Sequence, residues 1–133
     1  KEKFYKNIKP SIKNRVIFRG FVSNKDLNDL YNKAFCLFYP SSYEGFGIPV
    51  IEAMASGCPV IANDECRAVK EIANEIPLYF NKDLKNYNEV FDKLKIINRE
   101  KKVIEGLKLA QKFSWKKNLS EVYKIYESLL YND

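Results

Sequence analysis

The chain predicts an α/β fold: a mostly parallel sheet covered on both sides, closed by helices at the C-terminal end. Three observations predict it. Short apolar runs rich in β-branched and aromatic residues alternate with stretches of helical spacing over residues 15–80. From Tyr87 onward the pattern is helical only. No repeat, low-complexity tract or flexible linker interrupts the 133 residues, which suit one domain with a core of its own.

Residues 1–15 are basic and mixed, with Pro10 breaking any early helix, and read as a loop or the end of a cut helix. Arg15 to Val22 (RVIFRGFV) is a strand candidate on its β-branched and aromatic content. Asp26 begins a helix through Leu27, Leu30, Tyr31 and Ala34, with apolar spacings of three and four. Ala34 to Tyr39 (AFCLFY) is the next, buried strand. A polar turn with two glycines follows, then a helix whose first turn holds Pro49, a position that needs no N–H bond. Ser56-Gly57 ends that helix. Pro59 to Ala62 is a short buried strand, and Asn63 to Arg67 form the loop at its carboxyl end. Ala68 to Ala73 is a short helix, and Pro77 to Phe80 an edge strand with Pro77 at its start. Val90, Leu94 and Ile97 make one helical stripe; Val103, Leu107 and Ala110 make another. Ser114 suits the cap of a last helix with Leu119, Val122, Tyr123, Tyr126 and Leu130 on its apolar face, there to pack against a core or a neighbouring domain.

Composition narrows the function. The chain has no histidine, the commonest general base and transition-metal ligand, and no Asp-x-Asp metal motif. Cys36, Cys58 and Cys66 have no zinc-like spacing, and an odd count in apolar settings points to reduced thiols in the cytoplasm. Cys66, on a strand-end loop, has only Arg67 beside it to activate a thiolate. No apolar run is long enough to span a bilayer. The net charge of +6 is unevenly spread: residues 1–33 carry +6, residues 34–80 carry −4 and residues 81–133 carry +4. The basic ends would suit a peripheral contact with an anionic membrane face, but solvated lysine-rich helix faces explain them more simply.

The chemistry concentrates at Pro40 to Ala55 (PSSYEGFGIPVIEAMA). Gly45 and Gly47 allow unusual backbone angles and close approach to a ligand. The first N–H groups of the following helix have no intrahelical partner and suit a phosphate. Glu44 and Glu52 would repel that phosphate, and make more sense as acceptors for hydroxyls. A diphosphate flanked by two polyols describes a nucleotide sugar.

The run Glu44 to Ala62 (EGFGIPVIEAMASGCPVIA) resembles the E-x7-E signature of retaining, GT-B-fold glycosyltransferases of group 1 (sequence family 4). The lead-in from Val16 to Ala34 and the Phe113-Ser114-Trp115 opening of the last helix are similar to that family too. The resemblance implies a Rossmann-like, doubly wound sheet, here the incomplete C-terminal half of a GT-B fold. It implies that Glu44 binds donor-sugar hydroxyls, that Glu52 binds the nucleotide ribose, and that Gly45, Phe46, Gly47, Ile48, Pro49 and Val50 surround the diphosphate. Gly20, Phe21 and Val22 would pass near the base. The donor would be a UDP-, GDP- or ADP-linked sugar, with no metal or other cofactor and no nucleic acid as partner. The chain departs from the family's pattern at Glu65-Cys66, where a Gly-Gly pair is frequent, and at Lys70, where a proline precedes the glutamate matched by Glu71. An acceptor-binding N-terminal domain, and the Arg and Lys that neutralise the donor diphosphate, have no match, so the chain is expected to be a piece of a longer enzyme and inactive alone. A nucleotide-sugar epimerase of the same fold and a non-catalytic interaction module are the competing readings; the first usually needs a histidine, and intact Glu44 and Glu52 argue against the second.

Overall fold

The computed structural model describes residues 6–83 and 85–131. Strands β1 (Leu37–Tyr39), β2 (Val60–Asn63) and β3 (Leu78–Phe80) form one parallel sheet in that order. Leu37 pairs with Val60, Phe38 with Ile61 and Tyr39 with Ala62; Ile61, Ala62 and Asn63 pair in turn with Leu78, Tyr79 and Phe80. The helices are α1 (Asn24–Lys33), α2 (Ile48–Ala55), α3 (Arg67–Ala73), α4 (Tyr87–Ile96), α5 (Arg99–Ala110) and α6 (Trp115–Tyr131), with a 3-10 helix at Pro10–Arg15. The α/β class and the parallel sheet are as expected.

Strand side chains alternate between two faces, and the two core clusters follow that alternation. Leu37, Tyr39, Val60, Ala62 and Tyr79 join a cluster with Val50, Ala53 and Met54 of α2, Val69 and Ala73 of α3 and Leu109 of α5. Ile61, Leu78 and Phe80 join the other, with Val90 and Leu94 of α4. Phe38 stacks on Phe80 at 4.9 Å between ring centroids and tilts against Phe91 at 5.8 Å. The sheet is therefore covered on both sides. α5 meets α2 at Gly106, where a Cβ would lie 3.2 Å from Met54 Cγ, so that the Met54 side chain would have to give by a few tenths of an ångström.

Several ends follow from single residues. Ser23 caps α1, its Oγ accepting from the Asp26 N–H at 3.2 Å and donating to the Asp26 carboxylate at 2.7 Å. α2 ends at Gly57 (φ +69): the Cys58 N–H donates to the Ala53 C=O at 2.8 Å and the Gly57 N–H to the Met54 C=O at 3.0 Å. Asn98 caps α5 and Ser114 caps α6. Arg99 donates to the Phe35 and Ala34 carbonyls, tying the start of α5 to the approach to β1.

One expectation is corrected. Residues 15–22 form no strand: the 3-10 helix runs to Arg15 and an irregular segment follows. A strand needs a ladder, and β1 pairs only with β2 among the described residues. Ile17 is 69% exposed and Phe21 99%. The apolar face of α6 covers no core: Leu119 is 65% exposed and Leu130 73%. A Leu119→Lys, Leu130→Lys double variant is therefore expected to change unfolding free energy by no more than about 0.5 kcal/mol per site, read from denaturant midpoints. A larger loss would mean that α6 folds back onto the domain.

The thiols are structural. Cys58 and Cys66 are buried and Cys36 half-buried. Burial pushes the Cys36 thiol up to about 11 and the Cys58 thiol up as well. Among the described residues no helix is long and apolar enough to cross a membrane.

Candidate functional site

The site is built where β1 stops and α2 starts. β1 delivers the chain to Pro40, the loop carries Glu44, and α2 opens at Ile48. This is the carboxyl end of a parallel strand, where open α/β sheets bind ligands. Gly47 makes the turn. Its φ is +95°, a left-handed conformation, and a Cβ there would sit 3.1 Å from Val69 Cγ2 and 3.5 Å from Ile72 Cδ1. Gly45 differs from what the sequence suggests: its φ is not positive and nothing lies within 4 Å of a Cβ. Only one of the two glycines is required by the backbone.

Of the residues placed around a diphosphate, Pro49 has no N–H, and the Val50 N–H donates to the Gly47 C=O at 3.0 Å. Val50 itself is fully buried core. That leaves the N–H groups of Gly45, Phe46, Gly47 and Ile48 without a hydrogen bond among the described residues. They lie in sequence at the positive end of the helix dipole. Phe46 and Ile48 are exposed, and the Phe46 ring meets Phe113 edge-on at 5.6 Å.

The two glutamates sit in different surroundings. Glu44 is partly exposed on the loop. The Ser41 hydroxyl, and then that of Tyr39, hold its carboxyl below the usual carboxylate range by hydrogen bonding to the charged form. Ser41 Oγ also lies 3.0 Å from the Tyr43 carbonyl oxygen, which braces the turn. Burial first, and then the contact with Glu44, push the Tyr39 phenol far above its ordinary value. Tyr39 thus stays a donor aimed at an ionised carboxylate. Glu52 is exposed on α2 and faces α1, where burial and then the Glu52 charge raise the pKa of Tyr31. The Ser56 hydroxyl, 2.8 Å from Asn28 Oδ1, fixes the same two helices together.

Tyr31 and Tyr39 were read from the sequence as core; the structure puts one beside each glutamate. The signal was available for Tyr39, the last strand residue before the turn, whose side chain shares a face with α2. Gly20, Phe21 and Val22 lie in the irregular segment ahead of α1, with Gly20 at φ +66°. Among the described residues, no hydrogen bond joins them to the Glu44 loop. Cys66, on the loop after β2, is fully buried as the residue before α3. Glu65 is exposed and pairs with Lys82 at 3.3 Å. Asn63, at the end of β2, reaches Pro40, the first residue of the loop that carries Glu44, at 3.3 Å.

The family described as "Glycosyl transferases group 1" matches residues 2–95, which hold the whole of this site. The chain belongs to the group 1 glycosyltransferases. Among curated relatives of this family, the O-antigen chain mannosyltransferase RfbU of Salmonella typhimurium is 49% identical over 54% of this chain and 20% of that protein. The O-antigen chain mannosyltransferase B of Escherichia coli is 31% identical over 84% of this chain and 30% of its own. The alpha-1,3/1,6-mannosyltransferase ALG2 of Dictyostelium discoideum is 32% identical over 85% of this chain and 29% of its own. The chain thus spans between a fifth and a third of these group 1 relatives, and α6 lies beyond the part that the family match covers.

Proposed function

We propose that this chain is the donor-binding part of a retaining, metal-independent glycosyltransferase that takes a nucleotide-linked mannose and serves the assembly of a cell-surface polysaccharide. One observation carries the reading: Glu44 and Glu52 flank the turn at Gly47 in sequence, and four successive N–H groups there, from Gly45 to Ile48, have no hydrogen bond among the described residues. The names of the relatives, three of them mannosyltransferases, support mannose as the sugar. The acceptor is held by a domain outside this chain, and the protein works in the cytoplasm, at the inner face of the membrane.

In this reading Glu44 accepts hydroxyls of the sugar and Glu52 those of the ribose. The bond from the anomeric carbon to the diphosphate breaks as the acceptor oxygen attacks from the same face, which keeps the configuration. The electron pair leaves with the diphosphate, whose charge grows toward the Phe46, Gly47 and Ile48 N–H groups and the α2 dipole. Preorganised donors of this kind stabilise the leaving group without reorganising during the reaction. The proton of the acceptor hydroxyl passes to the departing diphosphate oxygen on the same face, so no side chain here needs to act as a base.

Titration of the chain with UDP, GDP and ADP, followed by amide chemical shifts, tests the reading. Shifts centred on 45–52 for one nucleotide support it and name the base. No shifts with any of the three, for this chain and for a longer one extended toward its N-terminus, would overturn it. Glu52→Ala is expected to weaken binding of the preferred nucleotide diphosphate about tenfold, the loss of one charge-assisted hydrogen bond. Equal affinity would remove Glu52 from the ribose.

A further inference from the structure

The last residue of β2 does not match the rest of the strand. Val60, Ile61 and Ala62 are buried and apolar, yet Asn63 continues them at 6% exposure. A buried amide costs free energy unless both of its ends are bonded, and an apolar residue would fill the position without that demand. Both ends of Asn63 are used. Its Nδ2 donates to the Pro40 carbonyl at 3.3 Å, and its Oδ1 accepts the Glu65 N–H at 3.0 Å. The first bond spans 23 residues and grips the start of the loop that carries Glu44; the second closes the loop after β2. The same region is tied onward to β3, with the Asp64 N–H donating to the Phe80 carbonyl at 3.0 Å.

From this arrangement we infer that Asn63 is a positioning residue: its amide fixes the Glu44 loop to the loop after β2, and so sets where the Glu44 carboxylate stands relative to the opening of α2. Tyr39 and Ser41 orient the carboxylate locally, but both precede or open the loop. Asn63 anchors it to a different strand. The catalytic consequence rests on the proposed role of Glu44; the anchoring does not.

The test separates the two. Backbone order parameters are measured on the chain itself, unmodified and as Asn63→Ala and Asn63→Asp. Asn63→Ala loses both bonds; Asn63→Asp keeps an acceptor for the Glu65 N–H but cannot donate to Pro40. In the unmodified chain the amides of 41–46 are expected near the rigid value of about 0.85, falling below about 0.6 in both variants, while those of β2 and α2 stay rigid. A loop unchanged in either folded variant, or a fall spread evenly over the domain, would overturn the inference. Should neither variant fold, the Asn63 side-chain amide of the unmodified chain decides: one Nδ2 proton protected from exchange is expected, and free exchange of both would overturn it. In the complete enzyme Asn63→Ala should lower kcat by about tenfold, one lost hydrogen bond. It should change kcat less than twofold when Glu44 is already alanine. If Glu44→Ala is itself silent, the proposed function fails while the anchoring result stands.

Discussion

Glu44→Ala in the complete enzyme is expected to lower kcat by about ten- to a hundredfold, while the affinity for the nucleotide diphosphate stays within about threefold. The magnitude is that of one hydrogen bond to a charged acceptor, about 1.5–3 kcal/mol at 1.36 kcal/mol per factor of ten. The asymmetry follows from what Glu44 touches in the proposed complex. It accepts from the transferring sugar and not from the nucleotide, so its loss leaves the diphosphate and ribose contacts in place. A carboxylate near an anomeric carbon that gains positive character in the transition state holds more tightly there than in the ground state, and such a difference appears in kcat. The Ser41 and Tyr39 hydroxyls keep the carboxyl ionised below the usual carboxylate range. Activity that depends on the charged form should therefore persist as pH falls through the ordinary glutamate pKa of about 4.3, and be lost only below it. Steady-state kinetics with the donor varied, beside nucleotide binding to the same variant, decide the matter. A raised KM with unchanged kcat would make Glu44 a uniform binding contact; unchanged values of both would remove it from the site.

What could be read from the chain, and what could not, divides by the range of the interaction. The ending of α2 at Ser56-Gly57 and the capping of α6 by Ser114 are local chemistry, between residues no more than five positions apart. The glycine-bearing turn and the start of α2 after it were legible because they too are local, a glycine followed at once by Pro49 in the first helical turn. Residues 15–22 were misread because β-branched and aromatic content reports a surface that suits a sheet, while a strand also needs a neighbour that no local pattern names. Tyr31 and Tyr39 hid inside apolar stripes: periodicity gives the face of a side chain, and only the fold gives the carboxylate that its hydroxyl meets. Asn63 was visible as a polar residue ending an apolar strand, but its partner lies 23 residues earlier. The α6 stripe was correctly seen as amphipathic, and amphipathicity does not say what covers it.

Gly45 and Gly47 show the same division most sharply, and their alanine variants should separate by the largest stability difference in the site. Two residues apart in one loop, they look equivalent in sequence. At Gly47 alanine faces two costs. The left-handed backbone, φ +95°, disfavours any Cβ by about 1–2 kcal/mol. The Cβ also meets Val69 Cγ2 at 3.1 Å, and Val69 is fully buried and cannot step aside without disturbing α3. Overpacking of this kind adds about 1–3 kcal/mol. Gly47→Ala is therefore expected to destabilise the chain by about 2–4 kcal/mol, a large part of the stability of an ordinary domain, and to lower Tm by roughly 10 °C. Gly45→Ala, with open space and no positive φ, should stay within about 0.5 kcal/mol. Thermal unfolding of both variants measures the contrast. The folded fraction of Gly47→Ala carries a second prediction. If the turn relaxes to a right-handed conformation to accommodate the methyl group, the Phe46, Gly47 and Ile48 N–H groups turn away together, and nucleotide binding is lost even where Tm has recovered. Equal Tm for the two variants would mean that the turn at Gly47 yields without cost. Equal nucleotide affinity in a variant whose turn has relaxed would mean that those three N–H groups do not hold the diphosphate.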